Sequence, residues 1–495
     1  MRLHPTIRLI LIILLLLGHA WLYRSFFVDD AFITFRVVQQ WTRGNGLVYN
    51  IGERVEAYSN FLWVVLLAPF DHLSFNLVLV SKMLGGVLGA LAVLLTYRFA
   101  RRLPFPEFSP LLLAVSAPFT AWMMGGLETN LFTLLLVLGG FRFVREEETG
   151  RGWLSGLLFG LLALTRPEGL LFAAVAGGLR LGRLYQAGVR PTRQDWFRLA
   201  AGAALIVPYY LWRYGYYGYF LPNTVYAKAM GLHPRPLLEG GLYLYQNFEA
   251  IGGFFFLALP LLLLLAQAER PLFANYLLLN LAAYAFFVFA GGGDWMPLQR
   301  FLVHILPFTY LLIHAGLARL WEIWPGRWGK VLLAGLVLGQ LGYLLFGSLE
   351  YNFISGVRNA PLIPDGGLIA EALRRHVQPG DTIALVDAGI FAYLLPLDAR
   401  AVDMVGLADE HIAHRPPQFP SGLFGRGDGF GKWDVDYVLA QQPKVVTVHL
   451  RGQTEDGVWQ TDFTGTTLLL NDPRFQEQYE LVSGGDIGGV FVRKK

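Results

Sequence analysis

Apolar runs long enough to cross roughly 30 Å of hydrocarbon recur through the first 350 positions, and counting them predicts about eleven transmembrane helices. Their spans are 7–23, 77–97, 108–124, 130–145, 153–165, 169–182, 198–213, 252–266, 271–290, 301–320 and 331–348. The pair around Thr165-Arg166-Pro167-Glu168-Gly169 reads either as two helices or as one broken helix. With the N-terminus in the cytoplasm, the inside loops receive Arg98, Arg101 and Arg102; Arg142, Arg145 and Arg151; Arg180, Arg183, Arg190, Arg193 and Arg198; Arg270; and Arg319, Arg327 and Lys330. That is the positive-inside pattern. The same assignment sends 29–60, 125–130, 165–169, 214–249, 291–300 and everything after about Glu350 to the opposite face.

The first run is flanked by Arg2, Arg8 and Arg24 and closed by Trp21 and Tyr23, as suits a membrane anchor. A cleavable leader is the alternative, because Gly18-His19-Ala20 imitates a cleavage site, but the many later apolar runs favour an anchor. After Glu350 the apolar runs shorten to strand length and Gly, Pro, Asp and Gln rise. A helix at Gly367 to Val377 leads through Pro379-Gly380-Asp381 into a strand at Thr382 to Val386; Val435 to Gln441 and Pro443 to Leu450 repeat that order, and Gly488 to Val492 reads as a last strand. The expected fold is therefore a polytopic α-helical membrane domain, 1–349, followed by a small extracytoplasmic α/β domain, 350–495.

Composition agrees: 54% of the 495 residues are hydrophobic and only 15% charged, with a mean hydropathy of +0.44, too apolar for an ordinary soluble enzyme. The net charge of +4 is read by location, and nucleic acid is not an expected partner. The absence of cysteine excludes disulfides, thiolate metal sites and a Cys nucleophile.

The first external loop holds Asp29-Asp30, then Arg36, Gly44-Asn45-Gly46, and Glu53-Arg54-Val55-Glu56-Ala57-Tyr58-Ser59-Asn60. Later come Gly126-Leu127-Glu128-Thr129, Thr165-Arg166-Pro167-Glu168-Gly169, Pro222-Asn223-Thr224-Val225-Tyr226-Ala227-Lys228 and Gly292-Gly293-Asp294-Trp295-Met296-Pro297 followed by Arg300. In this order on one expected face, the segments resemble the GT-C membrane glycosyltransferases, most nearly the terminal β-(1→2) arabinofuranosyltransferases of mycobacteria and their bacterial relatives. The resemblance implies transfer of a sugar, arabinofuranose or another, from a polyprenyl-phosphate donor to a hydroxyl of a cell-envelope glycan or glycolipid at the outer face of the cytoplasmic membrane.

Such a transfer needs a carboxylate to take the acceptor's proton and cations for the departing phosphate. Asp29 is the expected base, since it occupies the place of the family's acidic residue, and Asp30 either tunes it or shares a divalent cation such as Mg, Mn or Ca; a helix N-cap is the plain structural alternative. Lys228 and Arg300, then Arg166 and Arg36, are the expected phosphate ligands, against snorkelling for Lys228 and pairing with Glu168 for Arg166. Glu56, Tyr58 and Asn60 alternate, so an extended segment would turn all three toward sugar hydroxyls, while an aromatic-packed loop is an equal reading. Glu128 and Asp294, at helix ends, join Asn223 and Tyr226 as sugar or acceptor contacts, with a cation site or plain helix capping as the alternatives for the two acids. Asp387 and Asp403 follow strand-like runs, where side chains line crevices in open α/β sheets, and turn-building is their alternative role. His304 and His314 read as satisfied intramembrane histidines. A transporter or flippase for a lipid-linked sugar is the alternative function; it should place ionisable groups at mid-membrane, whereas the acids here collect at helix ends.

Overall fold

The computed structural model describes residues 4–228, 234–250, 258, 260–262, 264–267, 269–294, 296–354, 366–418, 431–484 and 488–494. Two compact units emerge. The first comprises Met1–Phe26, Ser81–Tyr209 and Pro236–Asn359, and the second Phe27–Val80, Tyr210–Arg235 and Ala360–Lys495.

The first unit is helical. Four described helices are long and apolar enough to cross a membrane: Pro5–Leu22, Leu77–Ala100, Leu272–Gly291 and Arg327–Gly347. Two expected single spans are broken instead. At 108–124 the helices Phe108–Val115 and Ala117–Trp122 are separated at Ser116, whose ψ of 114° leaves the helical region one residue before the Ala117-Pro118 pair. Pro118 offers no N–H to the carbonyl of Ala114, and His19 Nδ1 takes that oxygen at 2.9 Å. At 301–320 the helices Arg300–Val303 and Leu306–Ile323 part just before Pro307. Thr165–Gly169 separates two helices, Leu154–Thr165 and Gly169–Ala187, with Arg166 extended between them. The expected span 252–266 lies largely outside the described residues.

Small residues set the helix contacts. A Cβ on Gly156 would meet the Arg198 carbonyl oxygen at 1.9 Å, and one on Gly202 the Gly156 oxygen at 3.0 Å, so the backbones approach as only glycine allows. Part of the arginine pattern is spent on acids: Arg198 and Arg180 hold Glu147 at 2.9 and 3.1 Å, and Arg180 also holds Asp195 at 2.9 Å. A glutamate this deeply buried is tolerated only because it is ion-paired.

The second unit is built on a mixed sheet of order β2-β1-β3-β7-β6, with β1 Thr382–Leu385, β2 Arg400–Asp403, β3 Val445–Val448, β6 Tyr479–Gly484 and β7 Gly489–Arg493; β4 Leu450–Gln453 and β5 Trp459–Thr461 form a separate hairpin. β1 lies parallel to β2 and β3, while β7 is antiparallel to β3 and β6. Every residue of the central β3 is buried, so its run is continuously apolar apart from Thr447 instead of alternating. The helix Gly366–His376 turns Ile369, Ala370, Ala372 and Leu373 inward, a helical spacing of apolar positions against a polar remainder.

Candidate active site

Asp29 sits at the boundary of the helix Asp30–Thr42 but makes no side-chain cap bond to it. Its carboxylate reaches instead to residues about 360 positions away: Oδ2 accepts from the Gly389 amide at 2.9 Å and Oδ1 from the Ile390 amide at 2.7 Å, at the start of the helix Ile390–Leu394. The Gly389 position admits no side chain, because a Cβ there would stand 2.0 Å from the Asp29 carbonyl oxygen. Burial raises the Asp29 pKa, the negative charge of Asp387 raises it further, and the two amides oppose both. A carboxyl group tuned upward in this way suits a base working near neutrality.

Several contacts fix the helix that carries Asp29. Arg36 is fully buried and donates to the carbonyls of Tyr49 at 2.9 Å, Ala399 at 2.7 Å, and Ala392. Gln40 donates to the Leu397 carbonyl at 2.7 Å, and Phe32 and Phe35 pack on Tyr393. The expected phosphate role of Arg36 is therefore corrected: its donors are used to join the helix Asp30–Thr42 to the segment 392–399.

Asp387 accepts from His449 Nε2 at 2.7 Å, and His449 Nδ1 lies 3.4 Å from Asp462. Sequence reasoning missed His449, although the signal was present. It follows β3 as Asp387 follows β1, and those strands are parallel neighbours, so the strand-end argument made for Asp387 covers it as well. Burial opposes His449 protonation, but the hydrogen bond and charge of Asp387, with Asp462 and Asp29, outweigh it and raise its pKa. The pair's stabilisation is thus complete below the ordinary histidine value of about 6.5 and is lost as pH rises through the raised folded value. The gap in thermal midpoint between the native chain and His449→Gln should shrink as pH is raised from about 6 to about 9; a gap that stays constant would show that the ion pair contributes nothing.

The alternating segment points inward. Glu56 is paired with Arg213 at 2.6 Å, the hydroxyls of Tyr58 and Tyr217 are 3.0 Å apart, and Asn60 bonds Thr34, all in buried positions. Sugar recognition by Glu56, Tyr58 and Asn60 gives way to the packed-loop reading, because Val55 and Ala57 on the alternate positions are buried as well, so neither side of the segment is open to a ligand. Asn223 is also structural: its amide nitrogen donates to the carbonyls of Gly406, Leu407 and Asp409 at 2.9, 3.0 and 3.2 Å, which anchors the helix Asn223–Lys228. Lys228 ends that helix, half-buried. Tyr226 packs against Tyr219 and His414. Asp403 is buried and accepts from the amides of Val405 and Ala408 at 2.9 and 2.7 Å, closing the turn; burial pushes its pKa up to about 7, so it is a turn residue and not an acceptor contact.

In the first unit, Arg166 is paired with Glu128 at 2.6 Å and with Glu168, and Arg300 holds Asp294 through Nε at 2.7 Å and NH2 at 3.2 Å. Both guanidinium carbons lie over the Phe301 ring, at 5.5 and 5.3 Å, so two expected phosphate ligands do converge. Three carboxylates nevertheless accompany the two guanidiniums, which leaves no net positive charge for an anion, and Glu128 and Asp294 are spent on the same pairs. His314 is satisfied by Ser109 and the Pro104 carbonyl, while His304 Nδ1 meets the Tyr284 hydroxyl at 2.9 Å and its Nε2 has no partner among the described residues. Trp295 lies outside the described residues.

Each Asp29 oxygen accepts one amide hydrogen, and the described residues contain no group of three His, Cys, Asp or Glu able to hold a metal, so a divalent cation at the Asp29-Asp30 pair would draw its remaining ligands from water or a substrate phosphate.

Residues 360–491 match a family model described as a domain of unknown function, DUF8728. Over 378 residues the chain is 30% identical to a terminal β-(1→2)-arabinofuranosyltransferase of Mycobacterium tuberculosis, covering 65% of this chain and 58% of the relative. It is 28% identical over 239 residues to the protein of the same name in Corynebacterium glutamicum, covering 42% of this chain and 33% of the relative. The chain thus spans less than two thirds of the length of these curated relatives. Among solved structures it is similar to ArnT from Cupriavidus metallidurans bound to undecaprenyl phosphate, with a TM-score of 0.59 at 13% identity, covering 99% of this chain and 98% of that one. The apo form of ArnT gives a TM-score of 0.55 at 13% identity, with 97% of each chain covered. The fold is therefore the GT-C membrane fold of ArnT, and the sequence resembles the terminal arabinofuranosyltransferases.

Proposed function

We propose that this chain is a membrane glycosyltransferase that moves a sugar, with arabinofuranose the first candidate, from a polyprenyl-phosphate donor to a hydroxyl of a cell-envelope glycan or glycolipid. The observation that carries this reading is the Asp29 carboxylate, held by two backbone amides and raised in pKa beside Asp387, in a chain with the ArnT fold. The acceptor oxygen attacks the anomeric carbon, its proton passes to Asp29, and the bond to phosphate breaks so that polyprenyl phosphate leaves with the electron pair. The comparisons do not favour a transporter. The purified chain in lipid nanodiscs, given polyprenyl-phosphate arabinofuranose and an arabinofuranose oligosaccharide, should lengthen the oligosaccharide by one sugar, read by mass spectrometry. Failure to consume that donor or its hexose counterparts would refute the reading.

Lys228 binds the leaving phosphate in this scheme, because a compact ammonium at the end of the helix Asn223–Lys228 suits a phosphate as a point charge. Lys228→Ala should weaken donor binding about tenfold or more, and Lys228→Arg should restore part of it, because both cations attract phosphate while differing in geometry. Unchanged donor affinity in Lys228→Ala would return the residue to a snorkelling role.

The arginine distribution supports a cytoplasmic N-terminus with the sheet-bearing segment outside. A cysteine at the exposed Thr454 should react with an impermeant thiol reagent in intact cells, and one at the exposed Thr192 should not; the reverse labelling would invert the orientation.

A further inference from the structure

The second unit contains an open cleft of about 600 Å³, inside the range of 300–1,000 Å³ typical of small-molecule sites, and none of Asp29, Asp387 or Lys228 lines it. We propose that this cleft binds neutral saccharide units of the acceptor glycan. To that extent it rests on the proposed transferase reading, though the binding itself can be tested alone.

Charge balance argues for a neutral ligand. Arg54, Arg400 and Arg415 line the cleft, and so do Glu53, Asp409 and Glu410. Two of the guanidiniums already have anionic partners, Arg400 in Glu53 and Arg415 in Asp434 at 2.9 Å, while Arg54 lies over the Tyr216 ring at 5.0 Å. A phosphate or carboxylate entering here would meet as many negative charges as positive ones. A polyol benefits from both kinds, since each of its hydroxyls donates one hydrogen bond and accepts others.

The aromatic lining argues for a sugar in particular. His411 stacks on Tyr437 with ring centres 4.1 Å apart and planes at 16°, and Tyr219 stands edge-on to His414 at 4.6 Å. Flat rings beside the exposed Glu410 carboxylate suit the two sides of a sugar ring, which presents C–H groups on one face and hydroxyls around its edge. The Tyr219 hydroxyl donates to Glu410 at 2.6 Å, which keeps ring and carboxylate together at the rim. His411 and Glu410 are exposed, so altering them spares the core.

The test uses the full chain in nanodiscs and three soluble probes: a linear arabinofuranose hexasaccharide, maltohexaose and inorganic tripolyphosphate. Saturation-transfer NMR should show binding of at least one saccharide, and tripolyphosphate, which carries no carbon-bound protons and is therefore read as a competitor, should leave that saccharide signal unchanged. Glu410→Gln and His411→Ala should each weaken saccharide binding about tenfold, and in the transfer assay the KM for saccharide should rise by more than kcat falls. Tyr219→Ala provides a third substitution, which removes the ring as well as the hydroxyl that holds Glu410. Saccharide affinity unchanged in all three variants, no saccharide binding to the native chain, or tripolyphosphate displacing a bound saccharide would each overturn the proposal. Saccharide binding that the variants abolish, in a chain that transfers no sugar, would uphold the cleft and refute the transferase reading instead.

Discussion

Asp29→Asn is expected to slow sugar transfer at least about a hundredfold while the chain still folds and binds its lipid donor, since a positioned general base typically contributes 10²–10⁴ in rate. Structure changes what else this variant does. Both carboxylate oxygens accept backbone amides, so the carboxamide must turn its own N–H₂ toward one of them, and an unsatisfied buried donor costs about 1–3 kcal/mol. A lowered melting temperature alone is therefore not evidence of a catalytic role; retained donor affinity with lost turnover is. The pH profile adds an independent signature. Because burial and the charge of Asp387 raise the Asp29 pKa, transfer should rise with pH along an acid limb placed well above the ordinary aspartate range of about 3.9. Asp387→Asn removes the charge that opposes ionisation of Asp29 and should move that limb to lower pH. Near-normal transfer by Asp29→Asn would exclude it as the base.

Gly389→Ala should be nearly as damaging although it replaces no titratable group. The added methyl would lie 2.0 Å from the Asp29 carbonyl oxygen and 2.5 Å from its carboxylate carbon, so either the helix start at Asp29 or the turn at 387–390 must move. Overpacking of this kind costs about 1–3 kcal/mol, and displacement of a catalytic group by about 1 Å can cost on the order of a hundredfold in rate. Gly182→Ala is the control, because a Cβ there meets nothing within 4 Å. Transfer assays on membranes with matched protein levels decide the matter, and a fully active Gly389→Ala would mean that the amide clamp on Asp29 is dispensable.

Much of the fold could be read along the chain because its signals are local. The apolar runs became helices such as Leu77–Ala100 and Leu272–Gly291, and the tail's short runs became β1, β3 and β7 within a residue or two of their expected ends. The breaks at Ser116 and before Pro307 were written in their prolines, yet hydropathy averages over them. The site was less legible, because a polar residue carries no local mark of the direction it faces. Glu56, Tyr58 and Asn60 alternate as exposed ligands would, but Arg213, Tyr217 and Thr34 were waiting for them on the inner side, and no spacing rule links position 56 to position 213. Arg36 looked free for phosphate because its carbonyl partners lie beyond position 390, apart from Tyr49. Asp29 stood out in the sequence by its placement after the first apolar run, while the amides that hold it carried no such mark.

That separation bears on synthesis. Gly389 follows Asp29 by 360 positions, so the two amides that fix Asp29 exist only after that intervening stretch has been made. A nascent chain can insert its apolar helices one after another, since each satisfies its own backbone. The Asp29 carboxylate, however, stays untethered meanwhile, because closing a loop of some 360 residues waits for the far end to arrive. If Asp29 is the base proposed above, insertion and chemical competence are separate events, and an interrupted translation product would lack the clamp on which transfer depends.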